Sequence, residues 1–79
     1  MINLLFFGRL SDLAEGAPAT IEASTPAGIR TLLAIDHPHL AAALSQPQVL
    51  VSVNQVIAGW DQPLSQDSEV AFLPPVTGG

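Results

Sequence analysis

Residues 2–9 read INLLFFGR, a nearly unbroken apolar run whose interpretation sets the fold. It is rich in strand formers and too short to be the core of a signal peptide or a membrane span, so it predicts a β-strand buried against something on both faces. Side chains alternate along a strand, so Ile2, Leu4 and Phe6 share one side while Asn3, Leu5 and Phe7 share the other. Asn3 marks the second side as the wetter one, and Phe7 is the aromatic expected outside the main core.

Working outward, LSDLAEGAPA (10–19) carries the Gly and Pro punctuation of a connection, and TIEAS (20–24) alternates well enough to return as a second strand, a hairpin with a loose loop. In TPAGIRTLLA (25–34), Thr25 is a good N-cap and Pro26 suits the first helical position. Ile29, Leu32 and Leu33 fall on one face, so a helix packs on the sheet. Pro38 disfavours helical geometry at His37, and a second short helix runs through HLAAALS (39–45) with Leu40 and Leu44 inward. QVLVSVN (48–54) places Val49, Val51 and Val53 at period two, a further strand. QVIAGWDQPLSQD (55–67) is loop-like, with one short strand at Val56 to Ala58. SEVAFLP (68–74) is the last strand, with Val70 and Phe72 on one face and Ala71 and Leu73 on the other. Two strands, helices, then more strands give an α+β domain with helices on one face of a mixed sheet.

Seventy-nine residues with 48% hydrophobic and 11% charged content leave room for one core and exclude a disordered or low-complexity chain. The absence of cysteine removes the disulfide framework of small secreted domains, and the N-terminus has no basic run before its apolar residues, so a cytoplasmic location is expected. The net charge is −5 and the only basic side chains are Arg9 and Arg30, which argues against nucleic acid or an anionic membrane as partner and favours a basic protein surface.

The chain closes with FLPPVTGG (72–79). Pro74 and Pro75 cannot donate to a sheet ladder, so residues 1–73 form the domain and residues 74–79 an extended arm. At about 3.3 Å per residue the arm reaches roughly 20 Å, far enough to enter a pocket on another protein. Gly78 and Gly79 add no side chain, so a tight channel could enclose them, leaving the terminal carboxylate as the working group. A carboxylate reacts as an acyl donor only after activation, for example by a nucleotide. With no cysteine and no lysine in the chain, neither a thiolate nor a side-chain amine can intercept the activated group internally, and the Met1 α-amine is the only competing amine. A terminus that merely frays is the ordinary alternative. The stiff Pro-Pro followed by bare Gly-Gly argues against it.

LLFFGRL (4–10), VSVNQ (51–55) and above all DQPLSQDSEVAFLPPVTGG (61–79) closely resemble the small, sulfur-carrier subunits of molybdopterin synthase, a ubiquitin-like β-grasp family, and the likeness spans the chain. The resemblance implies a mixed sheet with one main helix, a short second helix and an extended C-terminal tail. It implies that a ubiquitin-activating-like adenylyltransferase adenylates Gly79 with ATP and that sulfur then gives a C-terminal thiocarboxylate. Pro74, Pro75, Val76, Thr77 and Gly78 would thread the tail into the large synthase subunit, where the sulfur passes to cyclic pyranopterin monophosphate. No bound cofactor is implied, the complex would hold two small and two large subunits, and catalytic side chains would belong to the partner. An apolar docking surface is implied at Phe7, Ile57 and Leu73. Gly8 and Arg9 depart from the family pattern, and residues 34–46 follow it loosely.

Other features have plainer readings. His37 and His39 form an H-x-H without further ligands, so no metal site is expected and loop histidines in solvent are the simpler reading. Trp60 is either a docking aromatic or a cap on the edge of the core. Asp61, Asp67 and Glu69 are turn carboxylates that could rim a contact with a basic partner. A sulfur carrier of thiamine thiazole synthesis, a ubiquitin-like modifier joined through Gly79 to lysines of other proteins, and an interaction domain with an inert tail are the competing functions.

Overall fold

The computed structural model describes residues 1–75. Five strands, β1 (Ile2–Phe6), β2 (Thr20–Ile21), β3 (Leu50–Val53), β4 (Val56–Ala58) and β5 (Glu69–Leu73), form one sheet in the order β2-β1-β5-β3-β4. β1 and β2 form the expected antiparallel hairpin, with Ile2 opposite Ile21, but β2 is only Thr20–Ile21 and not the whole of 20–24. The first and last strands pair in parallel at the centre, Leu4 beside Val70 and Phe6 beside Phe72. β3 runs antiparallel to β5, with Val51 opposite Phe72. β3 and β4 are joined across Asn54 and Gln55, both with positive φ, the geometry of a two-residue hairpin turn.

The helices are α1 (Arg9–Leu13), α2 (Pro26–Asp36) and α3 (Pro38–Leu44). Thr25 caps α2 as its sequence predicts, its hydroxyl oxygen accepting from the Gly28 amide at 3.1 Å, with Pro26 at the first turn. Leu10, Ile29, Leu33, Leu40 and Leu44 bury against Ile2, Leu4, Val49, Val51, Val70 and Phe72, so the helices cover one face of the sheet and leave the other bare. Under Phe72 lies an aromatic stack, Phe6 at 5.3 Å on one side and Trp60 at 5.7 Å on the other, and the Arg30 guanidinium sits 4.4 Å above the Trp60 ring. Trp60 therefore caps the edge of the core. Its carbonyl accepts from the Ala27 amide, which ties the long 59–68 loop to the start of α2.

Several expectations need correction. β1 is covered on one face only, since Leu5 and Phe7 are exposed. The strand stops at Phe6 rather than Arg9, because a turn at Gly8 starts α1 inside the presumed connection. Leu32 is exposed, since three residues beyond Ile29 falls at the border of the buried stripe, which Ile29 and Leu33 centre. His39 lies in the first turn of α3 rather than in a loop, and His37 joins α2 to α3. No helix among the described residues is long and apolar enough to cross a membrane.

Replacing Thr25 by Ala removes the cap acceptor and leaves the Gly28 amide without its partner. The expected loss is about 1 kcal/mol in urea unfolding, while Thr25→Ser should stay near wild type. Equal losses for the two would show that the hydroxyl does not cap.

Candidate functional site

The bare face of the sheet is built by strand register. One row crosses it as Leu5, Ala71, Ser52 and Ile57, each beside the next in the ladder. Neighbouring strands lie about 4.8 Å apart, so this row spans roughly 14 Å. Its centre is small, Ala71 and Ser52, and both are buried between larger neighbours. The next row towards the C-terminus pairs Leu73 with Leu50, and Phe7 continues it, its amide donating to the Phe72 carbonyl at 3.1 Å. Leu5, Phe7, Leu50 and Ile57 are all exposed, from 40% for Leu5 to 61% for Ile57, and Leu73 is half-buried among them. The result is a shallow apolar surface with a low centre and a raised rim.

The opposite end of the same face is polar. Asn3 pairs with Glu69 in the ladder, the Asn3 side-chain amide donates to the Asp67 carbonyl at 3.4 Å, and the Asn54 side chain accepts from the Glu69 amide at 2.9 Å. Apolar character therefore collects where β5 ends and Pro74 begins. Pro74 and Pro75, both half-buried, follow directly on β5. Pro75 borders a cavity of about 230 Å³ together with Arg9, Leu10, Leu13, Ala43, Gln46 and Val49. Val76, Thr77, Gly78 and Gly79, expected to carry the chemistry, lie outside the described residues.

Phe7, Ile57 and Leu73 are thus brought onto one surface. Sequence reasoning did not assign Leu5 and Leu50 to it. Leu5 was within reach, sharing the parity of Phe7. Leu50 has the parity opposite to Val49, Val51 and Val53, and its register opposite Leu73 joins it to this surface. Met1 lies at the far end of β1 from the arm, its α-amine 3.2 Å from a Glu22 carboxylate oxygen and 3.5 Å from one of Asp67. The hydrogen bond to Glu22, ahead of the attraction of both carboxylates, raises that amine above its ordinary pKa, while its limited desolvation opposes the shift. Among the described residues no cluster of three potential metal ligands occurs.

A mixed five-stranded sheet with parallel first and last strands, grasping a helix on one face, is the ubiquitin-like β-grasp fold. The match extends to solved structures: SAMP1 from Haloferax volcanii superposes with a TM-score of 0.75 at 20% identity, covering 99% of this chain and 98% of that one. CysO of Mycobacterium tuberculosis gives 0.77 at 16% identity, covering 96% and 100%, and the Amycolatopsis orientalis BexX/CysO complex gives 0.74 at 18%, covering 100% of both chains. The chain belongs to the ThiS family, whose model matches residues 4–79. It is 37% identical over 81 aligned residues, 100% of both chains, to the molybdopterin synthase sulfur carrier subunit of Escherichia coli (strain K12). The protein of the same description from Haemophilus influenzae is 32% identical over the same full extent.

Exposure on the bare face sets an energetic expectation. Leu50→Ala and Ile57→Ala should each cost less than about 1 kcal/mol, because surface truncations leave no cavity. Phe72→Ala, at the centre of the aromatic stack, should cost about 3–5 kcal/mol. Urea midpoints at constant slope measure both, and a core-sized loss for Ile57→Ala would remove it from the proposed surface.

Proposed function

We propose that this chain is the sulfur carrier of molybdopterin synthesis, presenting Gly79 as a thiocarboxylate to a large synthase subunit. The observation that carries the reading is the placement of the apolar surface: it gathers at the end of the sheet where β5 releases Pro74, so a partner seated on it also receives the arm. The full-length likeness to relatives described as molybdopterin synthase sulfur carrier subunits points the same way.

On this reading the Gly79 carboxylate attacks the α-phosphate of ATP in an adenylating partner and expels pyrophosphate. A sulfur donor then displaces AMP from the acyl carbon, leaving a thiocarboxylate in place of the carboxylate. Pro74 and Pro75 hold the arm off the sheet, Val76 and Thr77 bridge, and Gly78 and Gly79 thread the acceptor site. Phe7, Ile57 and Leu73, with Leu5 and Leu50, dock on both partners, and two small subunits would join two large ones. With neither a cysteine thiol nor a lysine amine, the chain has no side chain of those classes to intercept its own activated end, and the catalytic side chains belong to its partners. Its Met1 α-amine is held as an ammonium by Glu22 and Asp67. The thiocarboxylate sulfur bonds to a carbon of cyclic pyranopterin monophosphate, water cleaves the resulting acyl–sulfur bond so that the sulfur stays on the pterin, and the chain is released as the carboxylate for another round.

Intact-mass measurement after incubation with ATP, a sulfur source and the adenylating enzyme should show one oxygen replaced by sulfur in the full chain and no exchange in the chain lacking Gly79. A chain extended by one residue beyond Gly79 should likewise fail, since displacement of a reacting atom by even about 1 Å can cost a hundredfold in rate. Isopeptide adducts to lysines of other proteins would favour a modifier instead. Sulfur delivery to a thiazole-forming enzyme, with none to the pterin precursor, would place the chain in the thiamine pathway.

A further inference from the structure

The geometry points to Gly8 as the residue that aims the arm. We propose that its missing side chain makes the space into which the Pro74 ring packs, so that the turn after β1 fixes the direction in which the C-terminus leaves the sheet. The consequence for catalysis rests on the sulfur-carrier reading; the packing itself does not.

Beyond the Phe7 amide, which bonds to the Phe72 carbonyl, Pro74 has no N–H to extend the ladder. Its direction therefore depends on packing. The Leu10 amide donates to the Phe7 carbonyl at 3.2 Å, closing a tight turn in which Gly8 has φ 58° and ψ −139°. That is the first central position of a type II′ turn, which glycine occupies and an L-side chain resists. A second, independent demand coincides with it. A Cβ built on Gly8 would stand 2.8 Å from Pro74 Cγ, 3.6 Å from Cδ and 3.8 Å from Cβ. The pyrrolidine ring is closed on its own backbone and cannot swing aside as a flexible side chain could. Pro75, the next residue, borders the cavity it shares with Leu10 and Leu13 of α1 and Ala43 of α3, so the segment leaving β5 meets both the Gly8 turn and these helices.

Gly16 supplies a control within the same chain. Its φ is 85°, so alanine is resisted there too, but a Cβ at Gly16 would meet nothing within 4 Å. Gly8→Ala and Gly16→Ala thus share a backbone penalty and differ in contact with the arm.

The experiment compares full-length wild type, G8A and G16A. By NMR, wild type should show a nuclear Overhauser contact between the Gly8 α-protons and the Pro74 ring. G8A should shift the Pro74 and Pro75 carbon resonances, and G16A should leave them in place. With the adenylating enzyme, ATP and sulfide, G8A should lower kcat for thiocarboxylate formation on the order of tenfold with KM little changed, because the apolar surface stays intact. G16A should leave both constants near wild type. If G8A does not fold, P74A decides, since it empties the ring's space without touching the turn; it should lower kcat at unchanged KM and melting temperature, and wild-type kcat in P74A overturns the proposal. Identical proline resonances in G8A and G16A overturn it as well. If wild type takes up no sulfur, the sulfur-carrier reading fails alone, and the resonances still decide the role of Gly8.

Discussion

Parallel pairing of the first strand with the last is the constraint on which this structure depends. β5 lies between β1 and β3, so each of its backbone edges is bonded and Val70, Ala71 and Phe72 are all buried. Because β1 and β5 run the same way, the turn leaving β1 and the Pro74–Pro75 segment leaving β5 emerge at the same end of the sheet. An antiparallel pair would have put them at opposite ends. From this one choice follow the neighbourhood of Gly8 and Pro74, the gathering of Phe7 and Leu73, and the distance of the Met1 amine from the arm.

The core serves this arrangement by fixing which way β5 faces. Phe72 cannot turn outward without breaking its stack with Phe6 and Trp60, and a one-residue slip would bury Leu73 and expose Phe72. Trp60 is anchored in turn by its backbone bond to Ala27 and covered by Arg30, so the cap on the core also ties α2 to the edge of the sheet. The outward identity of Leu73 is thus enforced from the inside. An outward-facing residue on the last strand inherits its position from the side chain before it.

Strand alternation was legible in the sequence wherever a strand was long enough to show its period. Ile2, Leu4, Val51, Val70 and Phe72 face the core as their parity predicts, and the cap and first turn of α2 are where Thr25 and Pro26 put them. Short elements were not legible. A helix of five residues following a glycine carries too little periodicity to stand out, so α1 was hidden within a presumed loop. β4 has three residues, too few for alternation to decide whether Ile57 faces in or out; only its place opposite Ser52 on the bare face does so. Leu50 was legible by parity, since the alternation of Val49, Val51 and Val53 puts it on the opposite face, and only its partner across the sheet, Leu73, needed the register. Burial on both faces of β1 was inferred from an apolar run, but such a run also suits a strand whose second face waits for a partner, and here Leu5 and Phe7 are on that second face.

Under the proposed function, the shared location of face and arm limits how the carrier can work. Any protein that grips the arm near its root also covers Phe7, Leu50 and Leu73, so the enzyme that loads sulfur and the one that accepts it compete for one surface. Affinity for either cannot be so high that exchange stalls. A sheet face whose centre is Ala71 and Ser52 and whose rim is a few aliphatic and aromatic side chains suits that need, since interfaces at the small end of the range are typically transient. The acidic character of the chain adds attraction to basic partner surfaces without adding buried area, which quickens encounter more than it slows release. Selection between partners then falls to what each does with the arm, and that in turn to the angle at which Pro74 leaves the sheet.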